Sequence, residues 1–196
     1  LKTENSFKAC YGRVKDTVNF GKENGATAIG IADINNTYGH YQFNKECESE
    51  GIKPIFGVRL STLSNGSKQR TANLPWVYLA KNDDGLVEIY KLVNRAYDRF
   101  YYTPRIFVDD ALAVSENVVV LSPFKIDIDV LRAGKEPYNG AFLGGLVYYD
   151  IRTGKTIAVG DNHYITPDQR PVYQTLGGAS KRGDDYIYSF DNKTYP

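Results

Sequence analysis

The strongest constraint on this chain is a repeated alternation of short, continuous apolar runs with amphipathic stretches of helical length. Residues 27–32 (TAIGIA), 53–60 (KPIFGVRL), 76–80 (WVYLA) and 117–121 (NVVVL) read as buried strands. Between them, residues 12–24 carry Val14, Val18 and Phe20 among charges and stop at Gly25, while residues 38–50 stop at Gly51. Residues 83–99 place Leu86, Ile89, Leu92, Val93 and Ala96 on one helical face, with Asp83-Asp84-Gly85 offering N-caps. Farther on, residues 126–133 read as a short helix, 141–151 and 156–160 as strands, and Thr166-Pro167 as the start of a last helix. Residues 61–73, with Gly66 and the basic Lys68-Gln69-Arg70, read as a polar, mobile excursion, and the tail from Gly177 as loop. Runs apolar on both faces, alternating with helices, imply a parallel sheet covered by helices. Six or seven such units in one small domain suggest a closed or nearly closed barrel, in which chemistry sits just after the strands.

Composition narrows the classes. The 196 residues are 42% hydrophobic and 24% charged, an ordinary globular make-up with room for one sizeable core. A net charge of +1 gives no reason to expect broad, charge-driven binding to nucleic acid. No apolar run approaches the roughly 20 residues of a membrane span, and the first residues, LKTEN, lack the regions of a signal peptide. Cys10 and Cys47 are too few for a disulfide framework and read as reduced thiols of a cytoplasmic protein. The chain opens on Leu and has no Met, which reads as a fragment or processed piece.

After the first strand comes ADINNTYG (residues 32–39), and around the next strand GIKPIFGVR (residues 51–59). These stretches resemble the TDHGN..G and GIKPI.G.E segments of the PHP domain of the bacterial-type DNA polymerase III alpha subunit. The similarity continues through LAKNDDG (residues 79–85), FYYTPR (residues 100–105), Leu121-Ser122 and DNHYITP (residues 161–167), the last similar to NDVHYL.P, and is weakest between Lys125 and Thr156. It implies an α/β fold, a distorted seven-stranded (β/α) TIM-like barrel, over residues 1–176, with residues 177–196 leading toward a polymerase region. In that family, two or three divalent cations, usually zinc, manganese or iron, sit at the barrel mouth and hydrolyse phosphate esters.

The departures from the pattern matter more than the matches. Positions at which the resemblance implies metal ligands hold Lys2, Ala9, Ile34, Arg59, Pro75 and Phe124. Asp33, Asp161 and His163 keep their types, with Glu4 nearby. A multinuclear site of that kind uses about five imidazoles, and the chain has two histidines, of which His40 reads as a surface or capping residue. The cleft expected is therefore vestigial, made of Lys2, Glu4, Asp33, Arg59, Asp161 and His163, with no catalytic residue, no metal and no cofactor. A single weakly bound manganese or zinc on Asp33, Asp161 and His163 is the alternative. Lys2 or Arg59 is expected to pair with Asp33, Asp161 or Glu4, because carboxylates that lose their cations need another counter-charge. Trp76 and the tyrosines read as core and rim packing, and Lys68-Gln69-Arg70 as solvated. The function expected is a non-catalytic module of a replicative polymerase, stabilising its body or docking a proofreading exonuclease, with DNA reached through the parent chain and no membrane. The alternative is a metal-dependent phosphoesterase or 3′–5′ exonuclease with a reduced site.

Overall fold

A computed structural model describes residues 1–7, 9–69, 75–123, 129, 132–134, 147–158 and 162–178. They divide into two compact units, one from residues 1–55 and 160 onward, the other from residues 56–159.

The first unit contains α1 (Val14–Glu23), β1 (Ala28–Ile34), α2 (His40–Glu50) and, after a 3-10 turn at Pro167–Gln169, α5 (Arg170–Gly178). Helix α1 buries Val14, Thr17 and Val18, one stripe at helical spacing. Helix α2 buries His40, Phe43 and Cys47. His40 is thus interior at 5% exposure, and the surface or capping position expected for it is not the one found. It opens the same inward stripe as Phe43 and Cys47, so the helix face decides its burial. The N-terminal segment runs beside β1, with the Ala32 N–H donating to the Leu1 carbonyl at 2.7 Å. The 3-10 turn begins at Pro167, as expected, and Gln169 Oε1 reaches back to accept from the Ile165 N–H at 2.9 Å. Helix α5 continues through Gly178, past the point where the loop was expected to begin.

Strand β2 (Lys53–Leu63) leads into the second unit, which holds β3 (Trp76–Ala80), α3 (Asp83–Asp98), β4 (Arg105–Phe107), α4 (Val108–Leu112), β5 (Val118–Ser122), β6 (Val147–Asp150) and β7 (Thr156–Ala158). Residues 61–63 belong to β2 rather than to the expected polar excursion. The short β4 and α4 leave no periodic signal and were not expected. The helix expected over 126–133 and the strand residues expected over 141–146 and 159–160 lie largely or wholly outside the described residues.

The sheet departs from the expected parallel order. β3 pairs antiparallel with β2 (Leu60 opposite Trp76) and with β5 (Val77 opposite Leu121). β5–β6 and β6–β7 are antiparallel too, whereas β4 runs parallel to its partner, β2 (Thr62 opposite Ile106). Continuous apolar runs report burial of both faces, and burial does not fix direction. Between β3 and β5 the chain crosses the unit through α3 and returns through β4 and α4, so β5 enters from the opposite end.

Helix α3 covers this sheet with Ile89, Leu92, Val93 and Ala96, packed among Val58, Leu60, Trp76, Tyr78, Ile106, Val118 and Val120. Its cap is Asn82, whose side chain accepts from the Gly85 N–H at 2.9 Å, one residue before the aspartates expected to do so. A Cβ on Gly85 would lie 2.2 Å from the Asn117 carbonyl oxygen, so helix and β5 approach only because the residue is glycine. Gly85→Ala is expected to destabilise the chain by about 1–3 kcal/mol, the overpacking cost outweighing the helix propensity gained. Urea denaturation monitored by far-UV circular dichroism checks this.

Candidate functional site

Asp33 sits near the C-terminal end of β1, 1% exposed, and its carboxylate organises the segment before α1. The Thr3 N–H donates to Oδ1 at 2.6 Å, the Thr3 hydroxyl to Oδ2 at 2.7 Å, and the Ser6 hydroxyl to Oδ1 at 2.6 Å. These lengths are those of hydrogen bonds strengthened by charge. Each hydroxyl also accepts: Ser6 Oγ from the Ile34 N–H at 3.0 Å, Thr3 Oγ1 from the Asn5 side-chain amide at 3.0 Å. Asn36 Nδ2 donates to the Asn5 and Ile34 carbonyls, both at 2.9 Å, closing the loop after β1 onto the same segment. A Cβ on Gly39 would come within 2.8 Å of Asn5 Nδ2 and 3.2 Å of Asp33 Oδ2, so glycine there leaves room for the network.

On the other side of that segment lie Asn162 and His163. The Asn162 side chain accepts from the Lys2 N–H and donates to the Lys2 carbonyl, both at 2.9 Å, gripping both backbone groups of one residue as a neighbouring strand would. Farther along, the Tyr11 N–H donates to the His163 carbonyl at 2.6 Å. Lys2 is 3% exposed, and its Nζ lies 3.3 Å from His163 Nδ1. The same ring nitrogen is 3.0 Å from the carbonyl oxygen of Ala9, a position at which an acidic ligand was expected. The imidazole stacks on Tyr173 of α5, with ring centroids 5.0 Å apart at 28°. Cys10 completes the cluster, its thiol donating to the Lys2 carbonyl at 3.3 Å. Burial pushes that thiol up to about 12, with the Lys2 charge opposing and the Asp33 charge reinforcing the shift.

The structure thus gathers Lys2, Asp33 and His163 around residues 2–10. Glu4 is exposed, its N–H donating to the Gly12 carbonyl at 2.9 Å. Arg59 belongs to the second unit, on β2 opposite Val77, and is 5% exposed. Asp161 and Phe124 lie outside the described residues. Among the described residues no three His, Cys, Asp or Glu side chains converge as metal ligands would. Sequence reasoning missed Thr3, Ser6 and Asn162. Asn162 carried a signal, lying inside the DNHYITP segment, whereas nothing in the sequence marks two hydroxyls as partners of a carboxylate about 30 positions away.

Comparison with known proteins settles the family. The PHP domain model matches residues 1–141. The chain belongs to the PHP domain family. Its mixed α/β make-up agrees with the distorted TIM-like barrel expected of the PHP fold. Among curated proteins, the chain is 33% identical to the DNA polymerase III subunit alpha of Aquifex aeolicus over 208 residues, covering 84% of this chain and 18% of that one. It is 35% identical to that of Chlamydia pneumoniae over 117 residues, covering 56% of this chain and 9% of the relative. The PHP chain therefore spans less than a fifth of the length of either relative. A crystal structure of a candidate metal-dependent phosphoesterase from Bifidobacterium adolescentis overlaps half of the chain at 16% identity, with a TM-score of 0.37, too slight a likeness to carry weight. No helix among the described residues is long and apolar enough to cross a membrane.

Two outcomes follow from the geometry. Asp33→Asn replaces an acceptor-only carboxylate with an amide facing three donors, and is expected to cost about 3 kcal/mol in urea denaturation, against about 0.5 or less for Glu4→Gln at the surface. Stability is also expected to fall as pH rises through 9 toward 11. Burial raises both thiols in the folded chain, Cys10 to about 12 and Cys47 to about 11, from the ordinary value of 9.0. In that window the unfolded chain has released protons that the folded chain still holds, so alkali favours unfolding. Replacing both cysteines with serine should flatten the slope in a pH series of denaturation midpoints.

Proposed function

We propose that this chain serves as a non-catalytic PHP domain of a DNA polymerase III alpha-type replicase, supporting the polymerase body and offering a surface for a proofreading exonuclease. The observation that carries the proposal is the Lys2 ammonium 3.3 Å from His163 Nδ1. A metal ligand must offer a lone pair to a cation, and here a buried cation of the chain itself lies beside the imidazole and repels a second one. Asp33 reinforces the reading, because both its oxygens accept from Thr3 and Ser6. The described residues therefore do not fit the metal cluster that the family resemblance implies. A divalent ion would have to displace three short hydrogen bonds and share the cavity with Lys2, whose charge repels it.

Lys2 takes over part of the metal's electrostatic role. Its charge and that of Asp33 act in opposite senses on the Cys10 thiol, so both bear on one small buried region. Removing the cation from a buried carboxylate's surroundings is costly unless another positive group stands in. Membership of a larger polymerase chain is supported by the alignment to the Aquifex and Chlamydia subunits.

Hydrolysis of bis(p-nitrophenyl) phosphate with manganese or zinc tests the proposal. The rate is expected to equal that of metal alone. Metal-dependent turnover that disappears in both Asp161→Asn and His163→Ala would establish a phosphoesterase with a reduced site instead.

A further inference from the structure

The turn between α3 and β4 exposes aromatic surface that the core does not use. Phe100, Tyr101 and Tyr102 are 58%, 44% and 60% exposed. The backbone of Tyr102 has φ 63°, in the left-handed region that bulky side chains rarely adopt, and such local cost is concentrated at functional surfaces. The Tyr101 and Tyr102 rings meet edge to face, centroids 4.8 Å apart at 85°, so neighbouring rings present differently oriented faces.

Several cations stand near these rings in the chain. Asp110, 6% exposed, is shared by the guanidinium groups of Arg95 and Arg99, so one carboxylate serves two cations. The Arg105 guanidinium lies 4.6 Å from the Tyr101 ring centroid and 5.7 Å from that of Phe107. Among the described residues it contacts no carboxylate; it donates to the Gln69 carbonyl, and its buried Nε has no hydrogen-bond partner. The residue before Gln69 is the exposed Lys68. Exposed rings interleaved with uncompensated cations suit a ligand that carries both flat apolar faces and negative charge. Protein interfaces also enrich aromatic residues and Arg but deplete Lys, which this surface carries, exposed, at position 68.

We infer that this surface binds single-stranded nucleic acid, with bases stacking on Phe100, Tyr101 and Tyr102 and phosphates meeting Arg105 and Lys68. A duplex hides its base faces, so unpaired strands are the form these rings can use. The site lies wholly within the second unit and shares no residue with the cluster around Asp33, so either assignment can fail alone.

The test is fluorescence anisotropy of the whole chain with a labelled oligothymidylate of about 20 nucleotides, at about 50 and 200 mM salt. Saturable binding is expected, weakening roughly sevenfold across that range if two phosphates are neutralised. Phe100→Ala and Tyr102→Ala should each weaken it about fivefold or more with unchanged melting curves. Tyr41→Ala, 83% exposed in the first unit, should leave it unaltered. An iodouracil-substituted strand should crosslink to the tryptic peptide of residues 100–105. The inference is overturned if no binding occurs at low salt, if both variants bind as the parent does, or if duplex of the same length competes equally. Self-association abolished by Tyr102→Ala, without oligonucleotide binding, would also overturn it and make the surface a protein interface.

Discussion

One buried carboxylate sets the arrangement of the first unit. Asp33 has two oxygens inside the protein and must find donors there, because a charge removed from water and left unmatched costs several kcal/mol, roughly the net stability of a small domain. Its donors come from Thr3 and Ser6, which fixes where the first residues run. Once they are fixed, the Lys2 peptide lies within reach of Asn162, and Tyr11 within reach of the His163 carbonyl. The segments at residues 2–11 and 162–164, about 150 positions apart, are thus brought together by hydrogen bonds that trace back to a single aspartate.

The second unit rests on packing rather than on charge. Its strands are short, and β4 has only three residues, so no strand pair would persist without the α3 face laid over them. The close approach at Gly85 sets how near that face can come. Thr62 Oγ1 and Tyr78 Oη are matched inside it, 2.7 Å apart, and burial raises the tyrosine's pKa. One unit is organised around a buried carboxylate and the other around an apolar layer, although both mix helices and strands.

Much of this was legible in the sequence, and the limits have physical causes. Helices α1, α2 and α3 and strands β1, β2, β3 and β5 showed in apolar period and in glycine stops, since burial of a face leaves a pattern in the chain. Strand direction did not show, because Val118–Ser122 would be equally apolar in either orientation. Strand β4 and helix α4 are too short to complete a period. At the site, the retained types of Asp33 and His163 and the change to Lys2 were visible, and so was the small number of imidazoles. That Lys2 faces His163 is a matter of tertiary distance, as is the choice of Thr3 and Ser6 as donors. Hydroxyl residues occur throughout any soluble chain, so the few that meet a buried charge cannot be singled out without the fold.

The central claim is that the chain's own donors and Lys2 hold the cluster around Asp33 together without metal. It is tested most directly by the unfolding midpoint in chelator compared with that in manganese or zinc. A folded-state site at about 100 times its dissociation constant would add about 2.7 kcal/mol and make the midpoint climb with metal concentration. The midpoint is expected to be the same in chelator and in either metal. A rise that follows the logarithm of metal concentration, and that vanishes in Asp33→Asn, would contradict the claim.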